Sequence, residues 1–548
     1  MNSESEYVQQ RISPPFQEWA ALIVPTQPLP VIESAGTTET AQPIDSATTV
    51  DALRRSARRR FIECAQAYVM RLTDLAERAG ISLSRVPLLT GDPDQQPIVM
   101  TGHQPTIFHS GLTFKYEVTE SFAVETNAIF AAVVIDTDAG DCGRFELPES
   151  VGDSVFDVAA SARSLAAKHD PSLFLAVPMQ SEDQLLQMSQ VVDEQMKRLA
   201  ARTSHRWMSG PGHVLREYAK LAGPDAGISM MDANLIMRWR FGIGARCLEL
   251  PLSSIAAFPE VVALTSRLVC RGQSFSSEYN ALLEHFRADH GIRNPANPFP
   301  DMREDGESFE LPFWVVDLQR AVRHPLVLKR AGQHYQFVRD GDAVGALLDF
   351  SSADAVARVI NDLLLVNIAI VPRGAMITAL LRILFSDLFV HGTGGGTYDP
   401  FTDRLIQQCW HQTPTPFTVA SASRYLFPDL RRQLEKMDGV AGQMRDLQFN
   451  PQRYFDSDVF SDDCRKALQG LLQQKQAAVA GLKSAHSAGE SAKAVGHQIQ
   501  KLTDQIKQLV SDEMQPQMQI LESLSSSARR AVTSRSYPWF CFVEGTET

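Results

Sequence analysis

Short apolar runs closed by glycine or polar clusters recur along this chain, and they set its predicted elements. Ile98-Val99-Met100 is wholly apolar and reads as a buried strand, ended by Thr101-Gly102. A polar cluster follows, His103, Gln104, Pro105 and His109, before a helix that begins near Lys115-Tyr116-Glu117. The next apolar run, Ile129–Ile135, ends in Asp136-Thr137-Asp138, with Asp141 just beyond. Two strands joined through a helix, each ending in polar residues, predict a βαβ unit. In open sheets of such units the ligand sits at the carboxyl ends of the strands, where both clusters lie.

Helical periodicity frames this unit. Leu53, Ala57, Phe61, Ala65, Tyr68 and Leu72 trace one apolar stripe and predict a helix over Thr49–Gly80, with Gly80 as its cap. The arginines on its early turns (Arg54, Arg55, Arg58, Arg59, Arg60) read as a solvated face, with a phosphate-binding patch as the alternative. Glu182–Thr203 and Asp354–Leu364 read as helices, and Phe258–His290 as one longer helix. Ile228–Met231, Phe313–Leu318, Pro325–Lys329 and Asn367–Val371 read as strands, and Asn294–Pro300 as a loop. An apolar helix over Ala375–Phe389 feeds a glycine-rich loop, His391–Arg404, HGTGGGTYDPFTDR.

The C-terminal region changes character. Val495, Ile499, Leu502, Ile506 and Leu509 repeat at 4-3-4-3 spacing, a heptad seam, and Leu468, Leu472, Val479 and Leu482 form a rougher one. Ser484–Ser491 reads as the turn of an antiparallel helical hairpin, and Pro516 as a stop or kink. The aromatic tail Tyr537–Val543 reads as a strand or plug on the body. The fold class expected is α/β: a Rossmann-like parallel-sheet core with added helices and a C-terminal coiled coil. The expected division is an extended arm over 1–50, a helix and linker over 51–96, the core over 97–460, the hairpin over 461–530 and the tail over 531–548.

Composition narrows the function classes. The 548-residue chain carries a net charge of -12, a poor match to sequence-independent nucleic-acid binding, which needs clustered cations. No apolar run approaches the roughly 20 residues of a membrane span, and MNSESEYVQQ lacks a basic-then-apolar leader pattern. Seven scattered cysteines with no CxxC pair fit reduced thiols in a cytoplasm and form no zinc motif.

The chemistry candidates follow from position. His103 and His109 sit in a loop after the first strand, where imidazoles can stabilise charge in group transfer. Asp136 and Asp138, with Asp141, end the second strand and could orient an amine, ribose hydroxyls or magnesium. Thr101, Gly102, Gln104 and Lys115 flank the histidines as ligand-binding candidates. Arg373 directly follows a strand, and Lys329 and Arg330 end another. His391, Gly394, Gly395, Tyr398 and Asp399, with Asp403, surround the glycine run, which is neither a Walker A loop nor GxGxxG.

Thr101-Gly102-His103-Gln104 with Phe108 resembles the Thr-Gly-Gln-Gln motif and following Phe of the bacillithiol-synthesis cysteine-adding enzymes. Asp136-Thr137-Asp138 with Asp141 is similar to that family's acidic cluster after the next strand. His103 stands where the family has glutamine, and Ser110-Gly111 where it has Gly-Pro. The resemblance spans about 45 residues and implies a distant relative. It implies a Rossmann-like core with a coiled coil, and a ligase or transferase joining cysteine to an amino-sugar-type amine. The expected cofactor is open: a nucleotide, with or without magnesium. The expected partners are a small-molecule substrate and a second copy of the chain, paired through the coiled coil. The rival readings are a class I-like nucleotidyltransferase and a non-catalytic dimeric scaffold.

Overall fold

The computed structural model describes residues 8–23, 47–83, 94–154, 156–168, 172–200, 209–223, 227–487 and 493–543. Thirteen strands run through them. They are β1 Val8–Ser13, β2 Ile98–His103, β3 Ile129–Val134, β4 Arg144–Ser150, β5 Val158–Ser164, β6 Leu248–Pro251 and β7 Ser308–Asp317. The rest are β8 Val322–Ala331, β9 His334–Arg339, β10 Asp342–Leu348, β11 Ile368–Pro372, β12 Leu388–His391 and β13 Phe417–Ser423.

The main sheet has the spatial order β1-β13-β12-β2-β3-β6. The strands β13, β12, β2, β3 and β6 run parallel, and β1 pairs antiparallel on the outside. Numbered by their place in the chain, the parallel strands lie 5-4-1-2-3. That is the doubly wound order, which reverses direction between its first and fourth strands. Here those are β2 and β12. The near-continuous apolar sequence of β2 and β3 follows from burial on both faces of the sheet.

A second, antiparallel sheet, β10-β9-β8-β7-β11, is inserted between β6 and β12. The expected strands Phe313–Leu318, Pro325–Lys329 and Asn367–Val371 belong to this sheet and share one core with one side of the main sheet. β4 and β5 form a separate ribbon.

Several expectations are corrected. Ile228–Met231 is not a strand; Ser229 caps a helix, Met230–Arg240, by accepting the Asp232 N–H at 3.1 Å. Phe258–His290 is two helices, Pro259–Arg271 and Gln273–Asp289, divided at Gly272, whose φ of 55° suits a residue without Cβ. Ala375–Phe389 is a helix only to Leu384, and its end is β12. The glycine stretch is not a loop but the start of a helix, Thr393–Trp410.

The arginine face is corrected as well. Arg54 and Arg58 are buried, not solvated. They reach the amino-terminal edge of the main sheet and pair with Asp387 at 2.8 and 2.7 Å. Asp387 Oδ2 also accepts the Ile98 N–H at 2.7 Å, so one carboxylate ties β2, β12 and the helix Ala47–Arg78 together. Arg59 and Arg60 stay more exposed.

The C-terminal helices run over Asp462–Ser487 and Lys493–Ser523 and pack on each other. Residues 488–492, which hold much of the expected turn, lie outside the described residues. Ser461 N–H donates to Glu513 Oε1 at 2.8 Å, setting the start of the first helix beside the later half of the second. A third helix, Pro428–Phe449, completes this body: Val440 and Leu447 share a core with Leu468, Ile506, Val510 and Met514. The helical body therefore begins before Ser461. Buried positions on the helix Lys493–Ser523 are Leu502, Ile506, Val510 and Met514, every fourth residue, with Leu509 half-buried beside them. Pro516 lies within that helix and does not end it. The tail is a buried plug: Trp539–Phe542 form a short turn, and Trp539 N–H donates to Phe108 O at 2.8 Å. Of the expected N-terminal arm, 1–7 and 24–46 lie outside the described residues, while β1 edges the main sheet.

Candidate functional site

The carboxyl ends of β2 and β12 bring together the two stretches that stood out in the sequence. Thr101, fully buried on β2, donates its hydroxyl to Val390 O at 2.7 Å. β2 runs on through Gly102 and His103 and leaves the sheet at Gln104, and β12 ends at His391, before Gly392. Gly102 has a packing reason: a Cβ there would stand 2.3 Å from Val133 Cγ1 on β3.

His103 closes β2 against Val134. Its Nδ1 lies 3.1 Å from Gln104 O, and its ring meets the Phe108 ring edge-on. Burial, and then the charge of Lys115, push its pKa down to about 3, so the ring is neutral at pH 7. Lys115 is also buried and donates to Gly102 O at 2.9 Å. Burial, followed by the neighbouring Arg238, lowers its pKa to about 7. Arg238 forms a two-pronged pair with Glu249 at 3.2 and 2.8 Å, and packs against Phe108 and Tyr116.

His109 takes a different place. It is the N-cap of the helix Ser110–Glu125, its Nδ1 accepting the Gly111 N–H at 3.1 Å. The aspartates also divide. Asp136 is buried and turned toward β6, where it accepts the Ser253 N–H at 3.0 Å and the Ser253 hydroxyl. Burial raises its pKa to about 6 against those bonds. Asp141 accepts the Gly143 N–H and the Ser164 hydroxyl, both at 2.9 Å, and so holds a turn. Asp138 alone reaches the β2 loop: Gln104 Nε2 donates to its Oδ2 at 2.9 Å. Arg323 from β8 pairs with the same carboxylate and donates to Thr137 O at 2.8 Å.

Arg323 lies over the Trp314 ring at 4.4 Å, and Arg373 over the same ring at 4.7 Å. Arg373 is itself paired to Glu310 at 2.7 Å. Among the described residues it meets this group through the Trp314 ring, which Arg323 also covers. Lys329 and Arg330 are exposed on β8, outside this group.

The β12 side is a linked set of charges. His391 Nε2 lies 2.9 Å from Asp399 Oδ2, an ion-pair distance, with the ring turned off hydrogen-bond alignment. Asp399 is buried and also binds Arg382 Nη1 at 2.7 Å. Burial opposes ionisation of Asp399, but His391 and then Arg382 outweigh it and hold its pKa below the ordinary value. Arg382 is buried, with its Nε donating to Thr415 O at 2.7 Å and Nη2 pairing with Asp403 at 2.5 Å. Asp403 goes the other way: burial raises its pKa despite Arg382.

The glycines have distinct reasons. Gly394 and Gly395 are exposed on the first turn of the helix Thr393–Trp410. Neither they nor Gly396 has a positive φ. A Cβ at Gly394 would meet nothing within 4 Å, at Gly395 it would stand 2.5 Å from His391 Nδ1, and at Gly396 2.1 Å from Val419 Cγ2. Tyr398 is half-buried near Phe299. Helix N–H groups without side chains thus open at the end of β12, favourable ground for an anion.

A surface depression of about 390 Å³ lies elsewhere, lined by Ala52, Arg55, Ser56, Arg59, Arg60 and Glu63. It sits on the helix that binds the amino-terminal edge of the sheet, the wrong edge for a doubly wound fold. Among the described residues no group of three or more His, Cys, Asp or Glu side chains is placed to hold a metal ion. No helix among them is long and apolar enough to cross a membrane. All seven cysteines are free thiols.

Arg323, Trp314 and Arg382 are the residues that sequence reasoning missed. Arg323 and Trp314 come from the inserted sheet, and no local spacing marks their approach to β3. Arg382 had a signal: a lone arginine inside the apolar run Ala375–Phe389 demands a buried acidic partner. No family model and no curated protein matches this chain.

Proposed function

We propose that the protein is a ligase or group transferase that takes a phosphate-bearing, nucleotide-type ligand between the carboxyl ends of β2 and β12. The observation that carries this reading is the reversal of strand order between those two strands, with a glycine-opened helix N-terminus on one side and His103 on the other. The phosphates would meet the Thr393–Gly395 end of the helix, and His103 would offer a neutral imidazole beside them. The resemblance of Thr101-Gly102-His103-Gln104 to the cysteine-adding family supports cysteine, or a similar amino acid, joined to an amino-sugar-type amine. The Gln104–Asp138–Arg323 group is suited to hold the polar acceptor. We read the two C-terminal helices as an antiparallel hairpin, and place the reaction in a cytoplasm, as the free thiols favour. If magnesium accompanies the nucleotide, its ligands come from phosphate oxygens and water more than from the protein.

Thermal-shift titration with ATP, cysteine and an amino-sugar conjugate tests the proposal. A bound ligand at 100 times its Kd adds about 2.7 kcal/mol of stability and raises the melting temperature. Release of pyrophosphate or phosphate that depends on both cysteine and the amine supports ligation. Pyrophosphate release without the amine favours nucleotidyl transfer. No shift with any nucleotide or thiol precursor rejects the enzyme reading in favour of a scaffold.

A further inference from the structure

We propose that His391 is the acid–base residue of this crevice, with Asp399 as the carboxylate that positions it. The inference rests on the reading of the crevice as an anion-binding enzyme site.

Three observations carry it. First, His391 is the last residue of β12 and its side chain is 11% exposed, so it is held by the fold yet reachable. Second, its Nε2 faces Asp399 Oδ2, the oxygen that Arg382 Nη1 also holds, and Arg382 is fixed in turn by Thr415 O and Asp403. A carboxylate so restrained holds one ring nitrogen as the donor and leaves the other as the base. Third, Nδ1 faces Gly395, where any Cβ would stand 2.5 Å away. The missing Cβ leaves the ring room to turn into line with Asp399, and opens Nδ1 toward the first turn of the helix. Among the described residues Nδ1 has no hydrogen-bond partner. The ring is flanked by Phe389 and Phe417, which pack against it and contribute no charge. The charged groups around it are Asp399, Arg382 and Asp403.

In the step this arrangement allows, the Nδ1 lone pair takes one proton from an incoming nucleophile. The positive charge then spreads over the ring beside Asp399. The proton returns to the leaving group or to water, and both residues end as they began. His103 is less suited to this role, because burial lowers its pKa to about 3 and disfavours the protonated ring that a base must become. It serves as a fixed neutral group.

The test is a nitrogen-15 NMR titration of histidine-labelled protein, with the His391 signal assigned by loss in His391→Gln. Binding of MgATP is measured in parallel by calorimetry. The expected result is a neutral His391 carrying its proton on Nε2, with a pKa that rises when MgATP is added. In Asp399→Asn that pKa falls by about one unit or more. A neutral ring protonated on Nδ1 overturns the proposal, as does a pKa indifferent to both MgATP and Asp399→Asn. Should Asp399→Asn fail to fold, the wild-type tautomer and its response to MgATP decide the question. Failure of MgATP to bind rejects the nucleotide reading alone. The tautomer and the Asp399→Asn shift then judge His391 by themselves.

Discussion

The Asp136 carboxylate accepts both the backbone N–H and the hydroxyl of Ser253, and so joins the end of β3 to the short helix after β6. Burial raises its pKa to about 6, above an ordinary aspartate. The folded state therefore holds this proton more tightly than the unfolded chain does. The stabilisation is full below about pH 4 and is lost as pH rises through 6. Two pH units correspond to roughly 2–3 kcal/mol. Urea unfolding between pH 4 and 7 should show this decline in the wild type, and Asp136→Asn should flatten it. An unchanged slope would assign the decline to other groups.

Lys115 predicts the opposite slope. Its folded pKa of about 7 lies below the ordinary lysine value, because burial and then Arg238 disfavour the ammonium. The unfolded chain binds this proton more tightly, so stability grows as pH rises from 7 toward 10 and is lost as pH falls through 7. Lys115→Met should remove that rise. At pH 7 the variant should be at least as stable as the wild type, despite losing the bond to Gly102 O. Denaturant midpoints at pH 7 and pH 10 measure both effects.

The buried Arg238–Glu249 pair should show strong coupling. Glu249→Ala leaves the guanidinium buried without its partner, at a cost of about 3–5 kcal/mol. The double change Arg238→Met, Glu249→Leu should cost far less than the two single changes together. A double-mutant cycle by chemical denaturation reads the difference.

Three adjacent glycines should respond differently to alanine. Gly394→Ala has open space and gains helix propensity, so it should stabilise the fold by about 0.5–1 kcal/mol. Gly396→Ala must displace Val419 and should cost about 1–3 kcal/mol. Gly395→Ala should change stability little but move the His391 ring, and with it ligand affinity. Equal effects at all three positions would reduce the stretch to an ordinary helix start.

Replacing Leu502 and Ile506 together by Asp should break the three-helix body rather than only separate a pair of subunits. Both side chains are buried, and Ile506 shares a core with Val440 and Leu447. Each buried carboxylate costs several kcal/mol. Loss of helical circular dichroism, with protease cleavage within 428–523, is the expected outcome. A folded monomer would restore the symmetric dimer as the reason for the apolar seam.

The βαβ start of the fold was legible because β2 and β3 are apolar runs with abrupt polar ends. β12 was not. Its four residues follow an apolar helix, and periodicity cannot tell a short buried strand from such a helix. The break is made by Ser386 and Asp387, and Asp387 acts through Ile98, Arg54 and Arg58, all distant in sequence. The same gap explains the site. His103 and the glycine stretch were each visible, but their adjacency needs β12. Asp136 and His109 drew notice for their residue type; the structure uses His109 as a helix cap and Asp136 to hold the first turn of the helix after β6. Capping and acid–base chemistry draw on the same side chains, so composition alone does not separate them.

The hydroxyl of Thr101 and the carbonyl of Val390 are 289 residues apart in sequence. A ribosome therefore releases β2 and β3 long before β12 exists. The emerging chain must carry an open central strand edge through the synthesis of the β4–β5 ribbon and the inserted sheet. At 5–20 residues per second that interval lasts on the order of 15–60 s. An exposed edge of this kind invites pairing with another chain. The cell's chaperones would meet this protein in that interval, and a fragment cut short of residue 391 would be prone to aggregate.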